Sequence, residues 1–240
     1  MQTGTHNLLR LEFEARIFVS LSIAGTICAV SYSTFSHFPS LLVLSAQTFG
    51  VPRDTTLAAG YLAIGLLLAS VSLLRMWAGC VLTPRRVMSF RVQVDTLNTA
   101  GPYRIVRNPI YFADLIAMSA FSVCLPVIGL VMPLLFYAHY ARIIRYEEIS
   151  LARRYGQEYA EYSRRVPRLI PRMNNLPEDV RALREFRITS ESVLHNALYV
   201  LFVPGFVLAS YTHEFWQAIV LGMPGVIHWA IVHTKIGISH

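Results

Sequence analysis

Long uncharged apolar runs alternate along this chain with short segments that hold nearly all of its arginines. A helix needs about 20 apolar residues to cross the ~30 Å hydrocarbon core of a bilayer, where every backbone N–H and C=O must be bonded within the chain. Residues 17–35, 55–74, 193–211 and 215–232 contain no Asp, Glu, Lys or Arg. Residues 110–125 and 127–141 are shorter and flank Pro126. Extended to Asn108 and Arg145, they form a hairpin of two further spans, with Pro126 at the turn where its missing N–H costs least. The expected fold class is all-α, a polytopic integral membrane helical bundle of about six transmembrane helices. A soluble globular domain is excluded, since 15% of the residues are charged, against about 25% in average soluble domains.

The loops test this count. Arg85, Arg86, Arg91, Arg104 and Arg107 lie between spans two and three; Arg153, Arg154, Arg164, Arg165, Arg168, Arg172, Arg181, Arg184 and Arg187 lie between spans four and five. The remaining connections carry only Arg53 with Asp54, Pro126, and His213 with Glu214. Six spans put the arginine-rich loops on one face. The positive-inside rule makes that face cytoplasmic, as in a bacterial inner membrane, with both termini there; Arg10, Arg16 and Lys235 agree. The net charge of +7 therefore points to anionic lipid headgroups rather than nucleic acid.

Residues 40–51 are apolar but too short to span, and are expected to be re-entrant or interfacial. Residues 142–165 interleave charged and aromatic side chains. Leu151, Tyr155, Tyr159 and Tyr162 recur at helical spacing, which predicts an interfacial amphipathic helix ended by Pro167 and Pro171. The chain divides into an N-terminal transmembrane region (1–80), a core of loop, hairpin and amphipathic helix (81–172), and a C-terminal transmembrane hairpin (173–240). Cys28, Cys80 and Cys124 have no metal-type spacing, and no metal is expected.

Two motifs fall at the cytoplasmic ends of the middle hairpin, which should bring them together. The first runs GPYRIVRNPIY from Gly101 to Tyr111. Gly-Pro gives a tight loop, and Asn108-Pro109 reads as an N-cap followed by proline at the first helical position. The open N–H groups of such a start suit an anion such as an amino-acid carboxylate, and Arg104 and Arg107 could clamp it. Equally, Asn108 could only cap and the arginines only touch lipid phosphate. The second motif, RIIRYEE, ends in Glu147 and Glu148. These could pair with Arg145 or other arginines, or could grip a ligand's ammonium or ribose; adjacent helical positions point about 100° apart, so the two cannot serve one point. Asp114 is an intramembrane carboxylate within two turns of Asn108, hence a candidate functional group. His139 lies one turn before Arg142 on the facing helix.

GPYRIVRNPIY followed by RYEEISLARRYGQEYAEYSRRVPRLIP resembles the isoprenylcysteine carboxyl methyltransferase and phospholipid methyltransferase superfamily over residues 95–172. That superfamily carries GPY-x-x-x-R-[HN]-P-x-Y, a hydrophobic hairpin, an EE-x-x-L helix and a VPR-x-x-P tail. The resemblance implies an S-adenosylmethionine-dependent membrane methyltransferase whose lipid or lipid-linked acceptor, a carboxylate or an amine, enters from the bilayer. It implies a cofactor pocket of Gly101, Tyr103, Arg107, Asn108, Tyr111, Glu147 and Glu148, with His139 and Arg142 as additions. Arg107, Asn108 and Asp114 are the candidates for the chemistry. Many members have His where this chain has Asn108, so His-based acid–base catalysis is not available there, and many have Gly where this chain has Ala113. The alternative is an NADPH-dependent reductase of the sterol-reductase type, which shares RHP-x-Y and the VP tail but not EE-x-x-L.

Overall fold

The computed structural model describes residues 2–82, 97–172 and 176–238. Arg85, Arg86 and Arg91 lie outside the described residues, as does the side chain of Lys235. The described residues form α-helices joined by turns: α1 (Gln2–Glu14), α2 (Arg16–Ser33), α3 (Leu41–Phe49), α4 (Arg53–Val81), α5 (Pro109–Cys124), α6 (Val131–Tyr155), α7 (Gln157–Arg165), α8 (Leu176–Arg184), α9 (Ser190–Asn196), α10 (Phe202–Thr212) and α11 (Phe215–Ile238). The segments Arg16–Ser33, Arg53–Val81 and Val127–Tyr155 are each long and apolar enough to cross a membrane; α5, α10 and the first part of α11 are shorter apolar helices. The helical membrane bundle read from the sequence is therefore the observed architecture.

Helix α4 is its centre. Leu57, Tyr61, Ile64, Leu68, Val71, Arg75 and Ala78 recur every three or four residues and are all buried, the stripe a helix turns toward its neighbours. On α5 the matching stripe is small, with Ala113 and Ala117 fully buried and Ala120 nearly so. Small residues let membrane helices approach closely and gain dispersion contact where lipid supplies no hydrophobic drive. Helix α10 packs between α4 and α11, and α6 packs against α1, α2 and α5.

Two elements differ from the sequence reading. The fifth span, 193–211, is not one helix. It breaks over 197–201 into tight turns, with Phe202 N–H donating to the Tyr199 carbonyl and Val203 N–H to Val200. Pro204 has no N–H to continue a preceding helix and fits the first turn of α10. The charged run 142–165 is not a separate interfacial helix either. Its first half continues α6 to Tyr155, and Gly156, at φ 49° and ψ −115°, ends the helix in a conformation open essentially to glycine alone. Only α7 stands apart. The segment 40–51, read as too short to span, forms the short helix α3, capped by the Ser40 side chain and by Gly50 in the left-handed region. Nine residues reach about 14 Å, half a bilayer core.

The loops sort to two ends. At one, Ser40 bridges Pro126 and His213 lies 3.6 Å from Asp54. At the other, Arg142 grips Glu12 through two 2.6 Å contacts, and Arg104 grips Glu185 at 2.9 Å.

Candidate functional site

At that second end the two sequence motifs meet. The GPYR turn (Gly101–Arg104) positions Tyr103, whose carbonyl accepts from Tyr162 of α7 at 2.7 Å. The tail after α7 closes on the same strand of chain: Arg107 N–H donates to the Pro167 carbonyl at 2.9 Å, and Asn108 Nδ2 donates to the Arg168 carbonyl at 2.8 Å. Asn108 occupies the N-cap position of α5, but its side chain makes no capping bond. The first N–H groups of α5 thus lack a side-chain cap.

The glutamates diverge as adjacent helical positions must. Glu147 accepts from the Tyr111 hydroxyl at 2.9 Å. Glu148 sits between Arg107 at 3.1 Å and Arg168 at 2.8 Å, so its ion-pair partners come from the two motif loops. The Arg107 guanidinium also lies 5.9 Å from the centre of the Tyr159 ring. Burial, with the negative charge of Glu148 adding to it, pushes the Tyr159 phenol up to about 12.

These groups line one end of a cavity of about 550 Å³. Tyr103, Arg107, Asn108, Tyr111, Asp114, Glu147 and Glu148 all contribute to its wall. Beyond them the wall turns apolar, with Leu21 and Cys28 of α2, Phe121 and Leu125 of α5, Phe136 of α6, and Ile219 and Met223 of α11. Three sequence candidates do not line the cavity. Gly101 stands behind Tyr103, with its N–H bonded to Glu185. His139 bonds the Arg16 carbonyl at 3.2 Å, and Arg142 is taken up by Glu12; both hold the N-terminal helices onto α6. Arg104 likewise faces Glu185 and Glu178 rather than a ligand position.

The sequence reading missed the partners of Asp114. Its carboxylate pairs with Arg75 and accepts from Tyr199 at 2.9 Å and from Tyr140 at 3.4 Å. Arg75 is only 3% exposed, lines the cavity, and has a buried Nε without a partner. Its signal was present: the buried stripe of α4 continues in register past Leu74, and a lone intramembrane carboxylate on the next span calls for a cation. Tyr199 reaches the cluster only because the fifth span breaks at 197–201. Arg16, read only as a topology marker, is also buried; its guanidinium donates to the Phe13 carbonyl at 2.9 Å and it lines the cavity beside Glu147. Among the described residues, no group of three or more His, Cys, Asp or Glu could hold a metal ion.

Residues 54–158 match the phospholipid methyltransferase family. Among curated relatives, the chain is 32% identical over 138 residues to the cobalt-zinc-cadmium resistance protein CzcN of Cupriavidus metallidurans, covering 55% of this chain and 60% of that one. It is 27% identical over 125 residues to the nickel-cobalt-cadmium resistance protein NccN of Alcaligenes xylosoxydans xylosoxydans, covering 50% and 54%. It is 35% identical over 86 residues to protein-S-isoprenylcysteine O-methyltransferase B of Arabidopsis thaliana, covering 35% and 44%. The chain spans about half the length of the curated relatives it matches. No solved structure matches. The family match and the third relative both support the isoprenylcysteine carboxyl methyltransferase and phospholipid methyltransferase superfamily.

Proposed function

We propose that this chain is an S-adenosylmethionine-dependent methyltransferase of the bacterial inner membrane, acting on a lipid or lipid-linked acceptor, with its arginine-rich end in the cytoplasm. The observation that carries the reading is the two-part cavity. Its polar end holds both motifs, and its apolar wall extends along α2, α5 and α11. A zwitterionic, aromatic cofactor needs both charges and stacking surface, and the polar end has them. The uncapped start of α5 and Arg107 suit a carboxylate. Glu147 and Glu148 suit an ammonium or ribose hydroxyls, and Tyr103, Tyr111 and Tyr159 suit a planar ring. When bound, S-adenosylmethionine supplies a methyl group on a sulfonium.

The chain's own part is then positioning and the exclusion of water. Holding two reactants in a dry site of fixed dipoles accounts for much of the rate in such transfers. Arg107 is fixed by Glu148 and the Pro167 carbonyl, so its charge needs little reorganisation. Asp114 is held by three donors, Arg75, Tyr199 and Tyr140, and serves as a structural anion in the cavity wall.

Calorimetry on detergent-purified protein tests the reading. S-adenosylmethionine and its demethylated product should bind saturably, and NADPH should not bind comparably. Tighter NADPH binding would transfer the site to the reductase chemistry. Labelling of single cysteines in intact cells tests the orientation. Phe38→Cys and His213→Cys should react from outside, and Arg172→Cys only after the membrane is opened.

A further inference from the structure

We propose that the strap formed by residues 178–187 docks on anionic lipid headgroups, and that its seating clamps the Gly101–Arg104 turn and so raises the affinity of the cofactor site. Two faces of the strap make the case. Inward, Glu178 and Ala182 lie on the side of α8 turned to the GPYR turn. Ala182 is fully buried, and Glu178 lies 3.7 Å from Arg104. The final turn delivers Glu185, whose carboxylate takes the Gly101 N–H and the Arg104 guanidinium at 2.9 and 3.1 Å. Gly101 is held at φ +54°, and any Cβ there would press on Trp77 and Val81 at 3.0 Å, so the turn has one seat. Tyr103, two residues on, lines the cavity.

Outward, Val180 and Leu183 project to the opposite side, about 160° and about 140° from Glu178, with Arg184 about 120° away. Val180 is 42% and Leu183 62% exposed, with Phe186 following at 48%. Arg184 and Arg187 are exposed among them, while Arg181, about 60° from Glu178 and paired with it at 3.3 Å, stands exposed at the edge of this face. Apolar side chains alternating with arginines are costly in water and favourable where headgroups meet acyl chains.

The height of the strap is fixed separately. Phe186 packs edge-on against Trp77 at 5.4 Å, and Thr189 N–H donates to Cys80 Sγ. Both partners lie in the last turns of α4, where that span leaves the bilayer. The arginines therefore stand at the depth where anionic headgroups are dense, and each gains from proximity to them. A seated strap loses freedom, and Glu185 passes that constraint to the turn that carries Tyr103.

The coupling rests on the cofactor reading above, so the experiment keeps the two apart. The full chain would be reconstituted in nanodiscs of phosphatidylcholine alone or mixed with phosphatidylglycerol. An environment-sensitive fluorescent amino acid incorporated in place of Leu183, with Cys80 and the other cysteines kept, reports seating. Titration with S-adenosylmethionine reports affinity in the unlabelled chain. The anionic discs should blue-shift the probe and tighten the cofactor by roughly tenfold or more. Exchanging Arg181, Arg184 and Arg187 together for Gln should remove both responses while the helical circular dichroism is kept. Glu185→Gln should keep the probe shift and lose most of the affinity response. A probe indifferent to phosphatidylglycerol overturns the docking surface. A shifting probe with equal affinity in both discs overturns the coupling. Absence of S-adenosylmethionine binding in both discs overturns the cofactor reading and the coupling with it, and the probe then still decides the docking surface.

Discussion

Exchanging Arg75 for Met would isolate what the buried cluster contributes. Arg75 is the cation of a pair in which both side chains are buried, and Met keeps most of its length and apolar contact. The change leaves Asp114 with two phenol donors, at 2.9 Å from Tyr199 and 3.4 Å from Tyr140. Removing one partner of a buried pair costs about 3–5 kcal/mol, because the other charge stays desolvated. The two remaining donors place the expected loss at the lower end, about 3 kcal/mol. Adding Asp114→Asn removes the stranded charge. The double variant should therefore be no less stable than Arg75→Met alone, a strong departure from additivity. Tyr199→Phe deletes a single bond and should cost about 1 kcal/mol. Reversible unfolding in mixed detergent micelles, followed by tryptophan fluorescence, gives each value. If Arg75→Met falls within about 0.5 kcal/mol of the parent, the range of neutral surface changes, the pair is not holding α4 to α5 and the reasoning fails.

Glu147→Gln should weaken S-adenosylmethionine binding roughly tenfold to a hundredfold while keeping most of the melting temperature. Glu148→Gln should lower the melting temperature instead, since it frees Arg107 and Arg168; calorimetry and thermal scans on both variants check the split. Hydrogen bonds from Arg104 and from the Gly101 N–H hold Glu185 below its ordinary value. The latch is therefore complete above the ordinary carboxylate range and is lost as pH falls through the lowered value. Exchange of the Gly101 amide, corrected for its intrinsic rate, should lose protection on acidification in the parent and show no such change in Glu185→Gln. Gly156→Ala meets open space at positive φ, whereas Gly101→Ala meets Trp77 and Val81 as well. The first should cost about 1–2 kcal/mol and the second more, with an added loss of cofactor affinity.

Much of this arrangement could be read from the residues alone. Asn108-Pro109 marked the start of α5, Pro126 marked the turn of the hairpin, and the hairpin brought GPYRIVRNPIY to Glu147 and Glu148. These are local signals whose outcome the chain fixes within a few residues. Other features depend on what lies opposite. The charge pattern of 142–165 is helical throughout, so the stop at Gly156 was hidden by the periodicity around it. Asn108 looked like a cap, but the Arg168 carbonyl, sixty residues on, claimed its side chain. Arg104 looked like a ligand clamp until Glu185 proved closer. The break at 197–201 carried one visible sign, Pro204, outweighed by a run of apolar residues long enough to span.

The Arg75–Asp114 pair also bears on how this protein is made. Each residue sits on a different hydrophobic segment, near the end that carries the arginine-rich loops, and each alone resists burial in hydrocarbon until it is paired or reaches the headgroups. Neither α4 nor α5 can come to rest singly in lipid at its final depth without stranding a charge. The two segments are therefore expected to pair as they leave the translocation machinery. Tyr199 is made more than eighty residues after Asp114, so the anion gains its third donor only well after both α4 and α5 have been made. A nascent chain halted before Tyr199 would hold this cluster half-solvated and be open to quality-control proteases, which makes biogenesis sensitive to the same residues that shape the cavity.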